Sequence, residues 1–237
     1  MWLVAEYEAS ALFTLKPATA TASGGKTLLV PTPFAIKMAL LDTACRLEGL
    51  AAAEEAWEWL GGLTVALRPA PTVVVNNTFT KVLKPRRSDV QPGSKHAGYF
   101  QQTINYREYA YLDGAFAIAL ELSADADPNR LARWLLHVNY LGKRGSFIQI
   151  QGVPQVVEEL PRSFIVVDGR LGGFDLGAVL TQLDDVGDLS FSRANIYSDE
   201  KITLGKHRVL RHVALPYRLV ASSRGYSHYE LVGDAAG

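Results

Sequence analysis

Apolar residues recur along the chain with two different periods, and the changes of period predict its elements. Residues 2–14 read as a first strand, with Leu3, Ala5 and Tyr7 on one face and Phe13 near its end. The polar stretch ATATASGGK, 18–26, connects it to a helix predicted over 34–48, where Ile36, Leu40, Ala44 and Leu47 repeat at helical spacing. Phe34, Met38, Leu41 and Cys45 widen that stripe. Thr32 and Pro33 suit a cap and a first-turn position, and Gly49 suits the end. A second helix is predicted over 51–60, closed by Gly61 and Gly62. Strict alternation follows in LTVALR, 63–68, and again at Val73 and Val75.

The segments QQTINYREYAYL and AFAIALEL predict a hairpin, because Asp113-Gly114 between them suits the positive dihedrals of a tight turn. Phe116, Ile118, Leu120 and Leu122 then share a face. Asp127-Pro128-Asn129 opens a helix of about 13 residues whose stripe is Leu131, Leu135, Val138 and Leu141, with Gly142 as its stop. KRGS turns the chain into a strand, FIQIQ. The order is strand, helix, two paired strands, helix, strand. It predicts an α+β, ferredoxin-like domain over 1–152, of the kind seen in RRM and RAMP proteins: an antiparallel sheet covered by two helices. Two elaborations are expected. One is a mobile, basic insertion at 78–100. The other is a small β-rich C-terminal region over 153–237, containing SFIVV, RVLRHVAL and YRLVA.

Composition narrows the function only slightly. The chain has 237 residues, 48 % hydrophobic and 20 % charged, with 24 basic and 24 acidic residues. Net charge therefore argues for no polyanionic partner, and any such argument must come from where the charges sit. The one cysteine, Cys45, excludes an internal disulfide and a cysteine-cluster metal site. The start has no basic leader, and no run approaches the roughly 18–20 apolar residues of a membrane span. A cytoplasmic protein with no membrane partner is expected.

Three basic clusters stand out. The first holds Lys81, Lys84, Arg86, Arg87 and Lys95. The second is Lys143-Arg144. The third is Lys201, Lys206, Arg208 and Arg211, with His207 and His212 among them. Cations in loops reach phosphates, and glycine turns expose backbone N–H groups to them; solvated surface is the competing reading. In GKRGS, two glycines bracket two cations, with Gly142 expected as a helix cap and Gly145 as the residue of close approach. Tyr99, Phe100, Tyr106, Tyr109 and Tyr111 lie around Arg107, where exposed rings would stack bases and buried ones would pack. Gly-Gly-Lys-Thr at 24–27 lacks the first glycine of a phosphate-binding loop, which leaves a flexible loop whose Lys26 can still reach a phosphate. The five histidines form no metal-ligand spacing, and no metal or other cofactor is expected. Lys95, His96 and Tyr99 are the residues that metal-independent RNA cleavage would use. Asp184-Asp185 and Glu54-Glu55 are sequence neighbours and do not make a two-metal site.

The element order and Leu141-Gly142-Lys143-Arg144, a leucine–glycine–basic–arginine turn after the second helix, resemble the RAMP superfamily of CRISPR-associated proteins, and within it the Cas-five family. VPTPFAIKMALLDTA, 30–44, is similar to that family's proline-marked entry into the first helix. The resemblance implies a non-catalytic subunit of a type I interference complex that grips the repeat-derived 5′ tag of the guide RNA (crRNA). Its partners would be the backbone subunit, reached by a protruding hairpin called a thumb, and the large subunit. It also implies RNA-contacting roles for Lys143 and Arg144 and for Lys81, Lys84, Arg86 and Arg87, with 78–100 as the thumb; Lys26, Arg107 and Gly145 join these as RNA-contact candidates from the residues alone. Guide complexes leave sequence reading to base pairing, so such a protein needs shape and charge. Two other functions fit the same residues: an endoribonuclease processing precursor crRNA, and a scaffold subunit without RNA contact.

Overall fold

A computed structural model describes residues 1–20, 25–86, 90–94, 97–124, 126–170, 177–195 and 198–232. In chain order the elements are β1 (Trp2–Ala9), α1 (Pro33–Glu48), α2 (Leu50–Leu60), β2 (Val65–Arg68), β3 (Thr72–Pro85), β4 (Phe100–Asp113), β5 (Phe116–Glu121), α3 (Pro128–His137), β6 (Ile148–Ile150), β7 (Gln155–Val157), β8 (Ile165–Val166), β9 (Val179–Val186), α4 (Phe191–Ala194), β10 (Arg208–Leu215), β11 (Tyr217–Ser222) and β12 (Tyr226–Leu231).

One antiparallel sheet runs β6-β1-β5-β2-β8, with β7 pairing the other end of β1. Its core order, β6-β1-β5-β2, together with α1 after β1 and α3 before β6, is that of a ferredoxin-like fold. Strand β5 is central and buried on both sides. Phe116, Ile118 and Leu120 face the main core with Leu3, Ala5 and Tyr7 of β1 and with the apolar sides of α1 and α3. Ala117 and Ala119 face the other way, and their small side chains, with Ala66, leave room for Phe164. The ends of α1 follow local chemistry. Thr32 Oγ1 accepts from Ala35 N at 3.1 Å, Pro33 starts the helix, and Gly49 leaves it at φ 88°.

Three sequence expectations change. Asp113-Gly114 is not a hairpin turn. Strand β4 pairs along its whole length with β3, from Thr72↔Asp113 to Pro85↔Phe100, while β5 pairs with β1 and β2. Gly114, at φ 84°, turns the chain from one sheet into the other, and a Cβ there would lie 3.0 Å from Pro71. The ferredoxin-type hairpin is therefore β2 with β5, and a second hairpin, β3–β4, is inserted between its two strands.

Within 78–100, where the sequence reads as a loop, residues 78–85 form the outer half of β3 and Phe100 begins β4. Helix α3 also stops early. Val138 already has extended dihedrals, and Asn139 O accepts from Ile148 N, so residues 139–148 close as a β-like loop before Gly142 is reached. Leu141 keeps the helical spacing and is buried, but from that loop.

Residues after 152 add to these sheets. Strand β12 pairs with β3 to give a four-stranded sheet ordered β11-β12-β3-β4, and β9–β10 form a ribbon packed on α1. Leu183, Val213, Leu215 and Tyr217 join the same core as β1 and α1.

Two buried phenols give this core a pH limit. Tyr7 Oη donates to Leu135 O at 2.8 Å, and Tyr217 Oη donates to Ala70 O at 2.6 Å. Burial pushes both well above the usual tyrosine value of 10.0. An acid whose folded pKa is raised keeps its proton while the unfolded chain loses it. The stability it contributes is whole below about pH 10 and declines as pH rises beyond. Alkaline titration should show a cooperative tyrosinate absorbance step coincident with loss of helix signal. The Tyr7→Phe/Tyr217→Phe double variant should lose that step, at a cost at neutral pH of about 1 kcal/mol for each hydrogen bond removed.

Candidate nucleic-acid interface

The GKRGS segment forms a tight loop with a fixed base. Leu141 N donates to Ser146 O and Ser146 N to Lys143 O, both at 3.1 Å, and Tyr140 bridges Phe147. Ser146 is fully buried, and its Oγ accepts from Thr14 N at 3.2 Å, which ties the loop to the chain leaving β1. Gly142 has φ 69°, and a Cβ on it would lie 2.9 Å from Leu15. It is thus the residue of close internal packing, rather than the helix cap expected from sequence. Gly145, at φ 109°, faces open space. The effect is to hold Lys143 and Arg144 at an exposed tip on a rigid base.

That tip borders a groove of about 840 Å³. Its floor is the outer side of α1, with Phe34, Ala35, Met38 and Asp42. One wall is Leu15 to Ala18, and the other holds Phe191, Ala194 and Arg208. Two of its cations are already engaged. Arg46 pairs with Asp42 at 2.9 Å, and Arg208 pairs with Asp184 at 2.6 Å while lying 4.4 Å over the Phe34 ring. Lys16, Lys143 and Arg144 are exposed and make no ion pair among the described residues. A groove with an apolar floor and three uncommitted cations at its rim suits a chain of phosphates carrying flat bases.

The other sequence-predicted residues lie elsewhere. Lys26 Nζ is 2.6 Å from Glu108 Oε1, and that carboxylate raises its pKa by hydrogen bond and charge. The neighbouring Gly25 lies so close to β4 that a Cβ would collide with Tyr106 O. Gly25, Lys26 and Thr27 therefore serve as an edge contact to β4, and Gly24 lies outside the described residues. Lys81 and Lys84 sit on opposite faces of β3, and Arg86 follows its end, where its N donates to Tyr99 O at 2.9 Å. None of these three lines the groove. Arg107 lies on the outer face of β4, beside Thr78 of β3. Tyr99 is exposed, edge-on to Phe100. Arg87, Lys95 and His96 lie outside the described residues.

The third basic cluster is largely neutralised by acids. Arg208 meets Asp184, Arg211 lies 3.7 Å from Asp185, and Lys206 lies 3.9 Å from Asp188. His207 is buried, and its Nδ1 accepts from Thr203 N at 3.0 Å, which fixes the tautomer with the proton on Nε2. Asp184 and Asp185 point to opposite sides of β9, toward Arg208 and Lys37 respectively. Among the described residues, no group of three or more histidines, cysteines and acids is placed to hold a metal. No helix among them is long and apolar enough to cross a membrane. Sequence reasoning missed Lys16, a single lysine before Pro17 with no neighbouring charge to mark it.

No protein-family model matches the chain, and no curated protein matches it. Among solved structures it is similar to a chain of a CRISPR RNA-guided surveillance complex, at 16 % identity and a TM-score of 0.49, covering 91 % of this chain and 90 % of that one. It is similar to a CRISPR protein from Archaeoglobus fulgidus at 13 % identity and a TM-score of 0.40, covering 98 % and 92 %. It is also similar to a Cas protein at 18 % identity and a TM-score of 0.40, covering 91 % and 95 %.

Proposed function

We propose that this chain is the crRNA-binding subunit of a type I CRISPR interference complex and holds the repeat-derived 5′ tag in the groove beside α1. The observation that carries this reading is a coincidence of position. The turn whose sequence resembles the Cas-five signature is also the one that raises two uncommitted cations over an apolar groove. Lys143, Arg144 and Lys16 would contact phosphates, and Phe34 and Met38 would lie against sugars or bases. The projecting β3–β4 hairpin supplies the thumb. Its inner face continues the core stripe of Val73, Val75, Ala110 and Leu112 outward as exposed Phe79, Leu83, Ile104 and Tyr106. An apolar ribbon of this kind suits the backbone subunit next to it, and the large subunit would join the same assembly. The role is binding and scaffolding, without catalysis.

Binding and cleavage of labelled repeat-containing RNA, at low and high salt with EDTA present, test this reading. Intact RNA bound with steep salt dependence is the expected result. Specific cleavage would replace it with the processing nuclease. Absence of binding, alone and with partner subunits added, would leave a scaffold.

A further inference from the structure

The outer face of the four-stranded sheet has a composition that neither the core nor the groove explains. Its inner face is core at the base. Its outer face, by strand alternation, carries Thr72, Val74, Asn76 and Thr78 of β3, Arg107, Tyr109 and Tyr111 of β4, and Tyr226 and His228 of β12. The register aligns them in rows. Tyr226, Asn76 and Tyr109 lie directly across three strands, and His228, Val74 and Tyr111 form the next row. Rows on one face are about 7 Å apart along a strand, so Tyr109 and Tyr111 stand as neighbouring platforms. Tyr111 is 50 % exposed and Tyr226 39 %.

Aromatic stacking does not hold these rings, and Tyr111 Oη donates to Asp113 Oδ1 at 3.4 Å. Among the described residues the ring pairs are Tyr7–Phe116, Phe13–Phe116, Trp59–Trp134, Phe79–Tyr106 and Tyr99–Phe100, and none includes Tyr109, Tyr111 or Tyr226. Cations surround them. Arg107 precedes Tyr109 on the same face, Arg218 lies opposite Glu230 on β11, and exposed Arg224 sits in the β11–β12 turn. Arg107 and Arg224 make no ion pair among the described residues, whereas the acids of this face are engaged: Glu230 lies 3.5 Å from His228, and Asp113 accepts from Tyr111 Oη. Half-buried Tyr109 and exposed Tyr111 two residues apart, amide and hydroxyl groups between them, and arginines at the margins match the needs of unpaired bases on a phosphate chain. A purely apolar partner would leave those arginines and Asn76 without hydrogen-bond partners.

We propose that this face is a second nucleic-acid surface, which binds single strands by stacking bases on Tyr109, Tyr111 and Tyr226 with phosphates on Arg107, Arg218 and Arg224. It shares no residue with the groove and stands independently of the tag-binding reading. Stacking is indifferent to base identity and to the 2′-hydroxyl, so unstructured RNA and DNA should bind within a few-fold of each other, and duplex should compete poorly.

The test uses the full chain and fluorescein-labelled oligouridine and oligothymidine, neither carrying a repeat tag. Anisotropy titrations compare the parent, Tyr109→Leu/Tyr111→Leu, Tyr109→Phe/Tyr111→Phe and Lys143→Ala/Arg144→Ala. Leucine keeps the apolar area and removes the aromatic face, so affinity should fall at least about five-fold for each ring. Phenylalanine should retain it, and the same loss on leucine substitution should recur when Tyr109→Leu/Tyr111→Leu is placed in the Lys143→Ala/Arg144→Ala background. Thermal melts should match throughout, because these side chains lie outside the core. The proposal is overturned by parental affinity in the leucine variant, by equal loss in the phenylalanine and leucine variants, or by no binding of either oligonucleotide by the parent. Loss confined to the groove variant would place generic binding in the groove and overturn it as well.

Discussion

Lys37→Met lowers stability by about 3 kcal/mol, which for a chain of this size is a fall of roughly 6–12 °C in melting temperature. Lys37 is 2 % exposed on α1, and its Nζ donates to Asp185 Oδ1 of β9 at 2.7 Å and to Gly61 O at 2.9 Å. One ammonium thus joins the first helix, the end of the second and the β9–β10 ribbon. Burial pulls its pKa below the ordinary lysine range, and the Asp185 carboxylate offsets that only in part. Removing the cation leaves Asp185 with the N–H of Val186 at 2.7 Å and the more distant Arg211. The penalty comes mostly from that stranded charge. Lys37→Met/Asp185→Leu removes both charges and should recover more than half of the loss. Additive effects in the double-mutant cycle, measured by thermal and urea unfolding, would show that the two residues do not act as a pair.

The parts of the fold legible in the sequence are those whose signals are local. Thr32, Pro33 and Gly49 mark the ends of α1 because caps act within one turn, and Asp127 does the same for α3, accepting from Asn129 N and Arg130 N. The hairpin expectation at Asp113-Gly114 fails because Asp-Gly satisfies a positive dihedral in either a tight turn or a corner between sheets. The deciding fact is the pairing of β4 with β3, a choice made by non-local contacts. The outer half of β3 reads as a loop in the sequence for a related reason. Lys81, Lys84 and Pro85 are poor core residues but acceptable in a projecting ribbon with water on one side.

Legibility of the site follows the same division. Lys143 and Arg144 stand out in the sequence because glycines flank them. What makes them accessible is invisible there, namely the bond from Thr14 N to Ser146 Oγ and the fit of Gly142 against Leu15. The cluster at 201–211 looks as basic as they do, since its acids, Asp184, Asp185 and Asp188, lie about twenty residues earlier. Lys37 offers no sign at all: a lysine within an amphipathic helix normally faces water.

Lys143→Ala/Arg144→Ala weakens binding of tag-bearing RNA by roughly 10- to 100-fold at low salt, because each charge-assisted hydrogen bond to a phosphate is worth about 1 kcal/mol or more. The salt dependence supplies a second reading. Each phosphate neutralised on a single strand adds about 0.7 to the slope of log affinity against log salt, so the double variant should be shallower by about 1.4. Both side chains are exposed at the tip of a loop whose base is held by backbone bonds, so its melting temperature should match that of the parent. Gly142→Ala should reduce binding by another route. Its Cβ would press on Leu15 from a left-handed backbone position and tilt the loop away from the groove, so affinity falls with the cations intact. Lys26→Ala is the discriminating control, since Glu108 already holds that ammonium away from the groove. A large loss there, with parental binding by the Lys143→Ala/Arg144→Ala variant, would move the RNA path from the groove beside α1 to the base of the β3–β4 hairpin.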